Sequence, residues 1–247
     1  MPSGPTTTKE ARLELSIMTL DQLTDFFSMD ADVKALARWS PPSPGQALED
    51  IRWVAADVET TGLNIKKDVV IAIGAVEIND LSICLEQSFE LLIDADTHLE
   101  SDNILIHGLS QQTLSQGAHP KEAIHSFLSY AHGAALLAFH APFDKAMLEK
   151  EARTHLGVSS RLPFYDVAEW LKALCPEAPS HLRSLDDWSH YFGLYNDQRH
   201  HAACDAMAAA ELALICLQKA RSLGVTTWKG LQDKIAARMK LEKMRAH

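Results

Sequence analysis

The clearest pattern along this chain is the run Val69-Val70-Ile71-Ala72-Ile73-Gly74-Ala75-Val76-Glu77-Ile78. It is β-branched and apolar on both faces, which predicts a strand buried on both sides. Residues 51–57 and 88–93 read as strands on either side of it. Three successive strands with short connections suggest antiparallel pairing. Beyond them the pattern alternates. Helices are predicted at 121–130, 143–156, about 167–174 and 183–192, and over the alanine-rich stretch 202–221. Short buried strands are predicted at 134–139 and 162–165. Three strands followed by alternating helices and strands give a mixed sheet with helices packed on it, an α/β arrangement.

The ends differ from this middle. Residues 1–10 read as disordered. Thr19-Leu20-Asp21-Gln22 reads as a capping box that opens a helix through about Ser28. A second short helix follows Asp30 and ends near Trp39. Ser40-Pro41-Pro42-Ser43-Pro44-Gly45 is a linker by composition. The expected organisation is a helical N-terminal extension with a Pro-rich linker (1–48), a central domain (49–222) and a C-terminal helix (223–247). That last helix carries Lys229, Lys234, Arg238, Lys240, Lys243 and Arg245 against Asp233 and Glu242. It reads either as a solvated face or as a contact for nucleic acid or a partner.

Composition narrows the class. The chain has 247 residues, 47% hydrophobic and 23% charged, ordinary for a globular protein. No apolar run approaches the roughly 20 residues needed to span a bilayer. The N-terminus lacks the apolar core of a signal peptide, so the expected location is the cytoplasm, with no membrane partner. Cys84, Cys175, Cys204 and Cys216 form no CxxC pair and match no zinc spacing. They read as free thiols. The net charge of -10 carries no footprint of nucleic-acid binding. Any surface for phosphates must be local, or metal ions must mediate the contact.

The candidate chemistry lies in carboxylates. Asp57 and Glu59 stand two residues apart, so on a strand they project side by side. Each disfavours ionisation of the other, and a hard divalent cation removes that penalty. The plain alternative is a strand end entering a solvated loop. Asp144 follows the predicted strand at 134–139 and by itself reads as an acid at a helix N-terminus. Asp205 sits early in a helix of Ala, Leu, Met and Ile, where a carboxylate needs an arginine or a metal as partner. His200 precedes it by five residues. Four carboxylates on separate elements can hold two cations for phosphoryl transfer, with a histidine to accept the proton of an attacking water.

With these pieces in this order, residues 51–222 resemble the DEDDh family of 3′–5′ exonucleases, the DnaQ-like group that includes proofreading subunits and RNase T. The first motif stands as Asp57-Val58-Glu59-Thr60-Thr61-Gly62-Leu63, the second as His140-Ala141-Pro142-Phe143-Asp144, and the third as His200 to Asp205. Asp68 to Val76 looks like the family's strand motif, and Ile106-His107-Gly108-Leu109 like its Ile-His-Gly segment. The resemblance implies an RNase H-like fold with a five-stranded mixed sheet. It implies two Mg²⁺ or Mn²⁺ ions held by Asp57, Glu59, Asp144 and Asp205. Asp57 would be shared between them, and Glu59 would hold the one that activates water. His200, rather than His201, would be the general base.

The resemblance also implies that Thr60, Thr61, Gly62 and Leu63 approach the 3′-terminal nucleotide, with His107 and Phe143 lining the same pocket. The implied activity is release of nucleoside 5′-monophosphates from single-stranded DNA 3′ ends, in proofreading or repair. A DNA polymerase or a second copy of the chain are the candidate protein partners. One departure stands out: His140 occupies a position where the family usually has Asn, which bears on substrate preference. The rival readings are a 3′–5′ exoribonuclease or oligoribonuclease, and a non-catalytic module that binds nucleic acid or a polymerase. Asp166 reads as a helix cap.

Overall fold

A computed structural model describes residues 33–94, 109, 111–195 and 200–245. In chain order its elements are α1 (Val33–Leu36), a 3₁₀ turn (Leu48–Asp50), β1 (Trp53–Thr60), β2 (Val70–Asn79), β3 (Ser82–Leu92), α2 (Gln111–Leu114), α3 (Pro120–Ala131), β4 (Ala135–Ala138), α4 (Pro142–Leu156), β5 (Phe164–Asp166), α5 (Val167–Leu174), α6 (Leu185–Phe192), α7 (Ala202–Ser222) and α8 (Trp228–Arg245). The predicted helix at 19–28 lies outside the described residues.

The five strands form one sheet in the order β3-β2-β1-β4-β5. The β1–β2 and β2–β3 pairs are antiparallel, and β4 and β5 continue the sheet in parallel. This is the mixed, helix-flanked sheet expected. The central strand β1 shows how the two faces arise. Val54, Ala56 and Val58 pack into a cluster with α3 and α4, including Phe127, Leu128, Met147 and Leu148. Trp53 and Ala55 pack on the opposite face with α5 and α7, including Leu171, Leu212 and Ala213. Period-two alternation then carries Asp57 and Glu59 to the α7 face.

Two predicted strands are longer than expected. β1 runs through Thr60 instead of ending at residue 57, so Asp57 and Glu59 lie within the strand. Glu59 and Thr60 are buried, and the β1–β2 register shifts between them. β3 starts at Ser82 instead of 88. A two-residue turn joins it to β2, with Asp80 and Leu81 both at positive φ (48° and 52°).

The described residues of both end segments pack on the core. Leu36 is buried on the α3 side, and Ser160 Oγ donates to the Ala37 carbonyl (3.3 Å). Trp228 and Lys229 donate backbone N–H groups to the carbonyls of Gln46 and Pro44 (both 2.9 Å). Trp228 also packs against Trp53 and Tyr165, with ring centroids 5.7 and 4.5 Å apart. Leu231 and Ile235 extend α8 into the same buried cluster as Trp53. The C-terminal helix thus packs on the central sheet domain through Trp228, Leu231 and Ile235. Among the described residues no helix is long and apolar enough to cross a membrane, and all four cysteines are free.

Candidate functional site

The site lies where β1 runs past the end of its parallel neighbour β4. The two strands pair only from Trp53/Ala135 to Ala55/Leu137. Beyond that, β4 gives way to Phe139 and His140 while β1 continues, and the strands part. Clefts at the carboxyl ends of strands, where connections diverge, are the usual binding places of α/β sheets. Here the cleft measures about 310 Å³ and is lined by Asp57, Glu59, Phe139, His140, His200 and Asp205. Val58, Ser184 and Leu185 complete it.

The carboxylates of Asp57, Glu59 and Asp205 each offer an oxygen within 4.8 Å of the other two. The helix α7 brings Asp205 to this place by packing closely on β2. A Cβ on Gly74 would lie 2.2 Å from the backbone of Ala202 and Ala203, so glycine alone permits the approach. Asp205 accepts a hydrogen bond from the His200 backbone N–H (Oδ2, 3.1 Å). This closes the turn ahead of α7, with His200 at φ 62° and its side chain exposed in the cleft wall.

Asp144 comes from the other side of the sheet, in the first turn of α4. Its Oδ1 accepts the backbone N–H of Val58 (3.2 Å), the residue between Asp57 and Glu59. Burial drives its carboxyl up to about 7, and the charges of Glu59 and Asp166 add to this. The hydrogen bonds it accepts oppose the shift without cancelling it. Asp57, Glu59 and Asp205 thus meet in one cluster with His200 in the cleft wall, whereas Asp144 reaches the backbone between Asp57 and Glu59 without lining the cleft.

The neighbours of the site have distinct tasks. The Thr60 hydroxyl donates to the Gly62 carbonyl (2.8 Å). Thr61 Oγ1 donates to Asp68 Oδ1 and accepts the Val69 N–H (both 3.1 Å). The other carboxylate oxygen of Asp68 accepts the Asn64 N–H (2.6 Å). A Cβ on Gly62 would meet that carboxylate at 2.7 Å. Leu63 stands out of this braced loop at 86% exposure. Residues 60–63 adjoin the cleft in the chain but do not line it. Nor does Phe143, which is half-buried against the α3–α4 cluster. His107 lies outside the described residues.

His140 sits at φ 62°, in the left-handed region. Asp166 fixes it there: its Oδ1 accepts the N–H groups of His140 (3.1 Å) and Ala168 (2.9 Å). The predicted cap of α5 therefore also anchors the cleft. The His140 ring donates through Nε2 to the Arg183 carbonyl (3.1 Å). His201 turns away from this chemistry and pairs with Glu90 (3.2 Å), whose carboxyl burial raises and His201 lowers. Sequence reasoning missed the roles of Asp68, Ser184 and Leu185. The signal for the last two was the Ser184–Asp187 capping box, which starts α6 at the cleft.

A family model described as Exonuclease, the RNase T type, matches residues 54–213. The chain belongs to this exonuclease family. Together with the site's motifs, the match assigns it to the DEDDh 3′–5′ exonucleases. DNA polymerase III subunit epsilon of Haemophilus influenzae is 30% identical over 172 residues, covering 66% of each protein. A PolC-type DNA polymerase III of Caldanaerobacter subterraneus subsp. tengcongensis is 28% identical over 173 residues, or 70% of this chain. This exonuclease matches only 12% of that relative's length. E. coli exonuclease I, solved with a dT13 oligonucleotide, has the same fold. The TM-score is 0.61 at 15% identity, over 70% of this chain and 42% of that one.

Proposed function

We propose that this chain removes nucleoside 5′-monophosphates from the 3′ end of single-stranded DNA, with two Mg²⁺ or Mn²⁺ ions. The observation that carries the reading is the convergence of Asp57, Glu59 and Asp205 within 4.8 Å. Three acidic groups this close, with a fourth carboxyl buried beside them, make a hard-oxygen donor set that fits small divalent cations. The raised pKa of Asp144 supports the same reading, because burial without a cation disfavours its charge.

Asp57, Glu59, Asp144 and Asp205 would hold the ions. Bound there, the cations supply neutralisation of phosphate charge and acidify the attacking water. His200 takes the proton of that water through its exposed imidazole, and the bond from its backbone to Asp205 fixes the turn that presents it. Leu63, projecting from the loop that Asp68 braces, packs against the terminal base. The relatives named above are polymerase III proteins, which favours a proofreading or repair setting.

The test is digestion of matched, 5′-labelled single-stranded DNA and RNA by the full chain with Mg²⁺ or Mn²⁺. Shortening from the 3′ end, release of deoxynucleoside 5′-monophosphates, and loss of both in chelator are expected. DNA left intact with either metal would overturn the proposal. Faster loss of the RNA would move the substrate to that polymer.

A further inference from the structure

We infer that a second groove, beside the active-site cleft, guides the strand that extends 5′ of the scissile bond. The groove measures about 550 Å³ and lies between the loop joining α5 to α6 and the C-terminal helix α8. His140 forms a wall of both spaces, so the groove opens directly beside the cleft. Ser184 and Leu185 line the cleft while the adjacent Arg183 lines the groove, so the wall is continuous on that side as well.

Charge indicates what fits. The groove is lined by Lys172, Arg183 and Arg238, together with His140, and by no aspartate or glutamate. In a chain of net charge -10 such a place stands out. Lys172 and Arg183 are exposed, and neither side chain has a carboxylate partner among the described residues. The floor is apolar, with Leu182 and Trp188 buried beneath it. Cations over an apolar floor suit the phosphodiester backbone of a single strand, which binds largely by phosphate neutralisation. The groove also gives the basic C-terminal helix a task, because Arg238 enters it from α8.

The placement relative to the scissile bond rests on the nuclease reading of the cleft, but strand binding is measurable without it. Binding of a fluorescein-labelled dT20 strand to the full chain is followed in chelator across a salt series. In Lys172→Gln/Arg183→Gln/Arg238→Gln the slope of log affinity against log salt should fall by roughly 2, at about 0.7 per single-strand phosphate contact. Lys172→Gln alone should lower it by about 0.7, and Lys121→Gln, at the start of α3, should not change it. Affinity and slope equal to the wild type in the triple variant would overturn the inference. If that variant does not fold, an unchanged slope in the exposed Lys172→Gln and Arg183→Gln single variants would overturn it as well.

Hydrolysis of thymidine 5′-(p-nitrophenyl) phosphate, which has no 5′ strand, is followed in parallel with Mn²⁺. In the triple variant the ratio of kcat/KM on dT20 to that on the ester should fall at least tenfold, and an unchanged ratio would count against the groove. A wild-type chain that binds dT20 through these cations but cleaves neither substrate would sustain the groove and defeat the nuclease reading instead.

Discussion

Asp57 stands opposite Gly74 across the β1–β2 ladder, and Gly74 is where the backbone of α7 touches the sheet. The glycine thus sets the distance between Asp57 on the strand and Asp205 on the helix. In Gly74→Ala the new methyl would meet Ala202 and Ala203 at 2.2 Å, so α7 must move away. Overpacking of this kind costs roughly 1–3 kcal/mol. The expected result is a moderate fall in Tm with a much larger loss of metal-dependent cleavage. A variant that keeps full kcat would show that the helix approach does not set the carboxylate spacing.

Asp144 predicts how the metal-free protein responds to pH. Its folded carboxyl titrates near 7, against 3.8 for the free side chain. Between those values the folded state holds a proton that the unfolded state has released. Stability from this group is therefore lost as pH rises from about 4 to about 7, at up to roughly 1.4 kcal/mol per pH unit. In chelator, Tm should fall across that window, and Asp144→Asn should remove this component of the slope. Added Mg²⁺ or Mn²⁺ should flatten the wild-type slope, since bound cations favour the ionised form. A slope identical in wild type and Asp144→Asn would contradict the assignment.

Asp68 offers a test of the loop without touching the carboxylate cluster. Its two oxygens hold Thr61 and Asn64, and through them the turn that carries Leu63. Asp68→Ala removes both acceptors, at a cost of roughly 1–3 kcal/mol for charged hydrogen bonds. The loop then has to be ordered at the expense of substrate binding. KM for a DNA strand should rise about tenfold per 1.4 kcal/mol of that ordering, with kcat little changed. A fall in kcat at constant KM would place the role of Asp68 in the chemical step instead.

Much of this arrangement was legible in the sequence, and the exceptions have physical causes. Period-two alternation placed Asp57 and Glu59 on one face, and the apolar run at β2 identified a strand buried on both sides. β1 extends three residues past its predicted end because its polar last residues have the composition of a loop, whereas Glu59 is buried. The start of β3 was missed because its turn uses Asp80 and Leu81 at positive φ, where glycine or asparagine is the usual signal. In α8 the basic residues are interspersed with Trp228, Leu231 and Ile235, whose widely spaced apolar side chains are buried on one face. The second groove has no signal in the sequence: Lys172 and Arg183 lie on α5 and the loop after it, and only the fold brings Arg238 of α8 beside them.

His140 links the departure from the family pattern to a backbone requirement. At φ 62° the position lies in a region that asparagine enters readily and histidine more often than most residues. Asparagine and histidine are therefore interchangeable for the turn, and Asp166 can hold the backbone N–H of either. They are not interchangeable for reach, because the ring spans to the Arg183 carbonyl at 3.1 Å and stacks on Phe139. His140→Asn should accordingly keep stability within about 1 kcal/mol of the wild type, the net value of one neutral hydrogen bond. Its effect should fall on KM for long strands more than on hydrolysis of the p-nitrophenyl ester. His140→Val, β-branched in the left-handed region, should lose roughly 1–2 kcal/mol more. Thermal melts of the two variants beside paired kinetics separate the requirements. If Asn and Val are equally stable, the backbone explanation for this position fails.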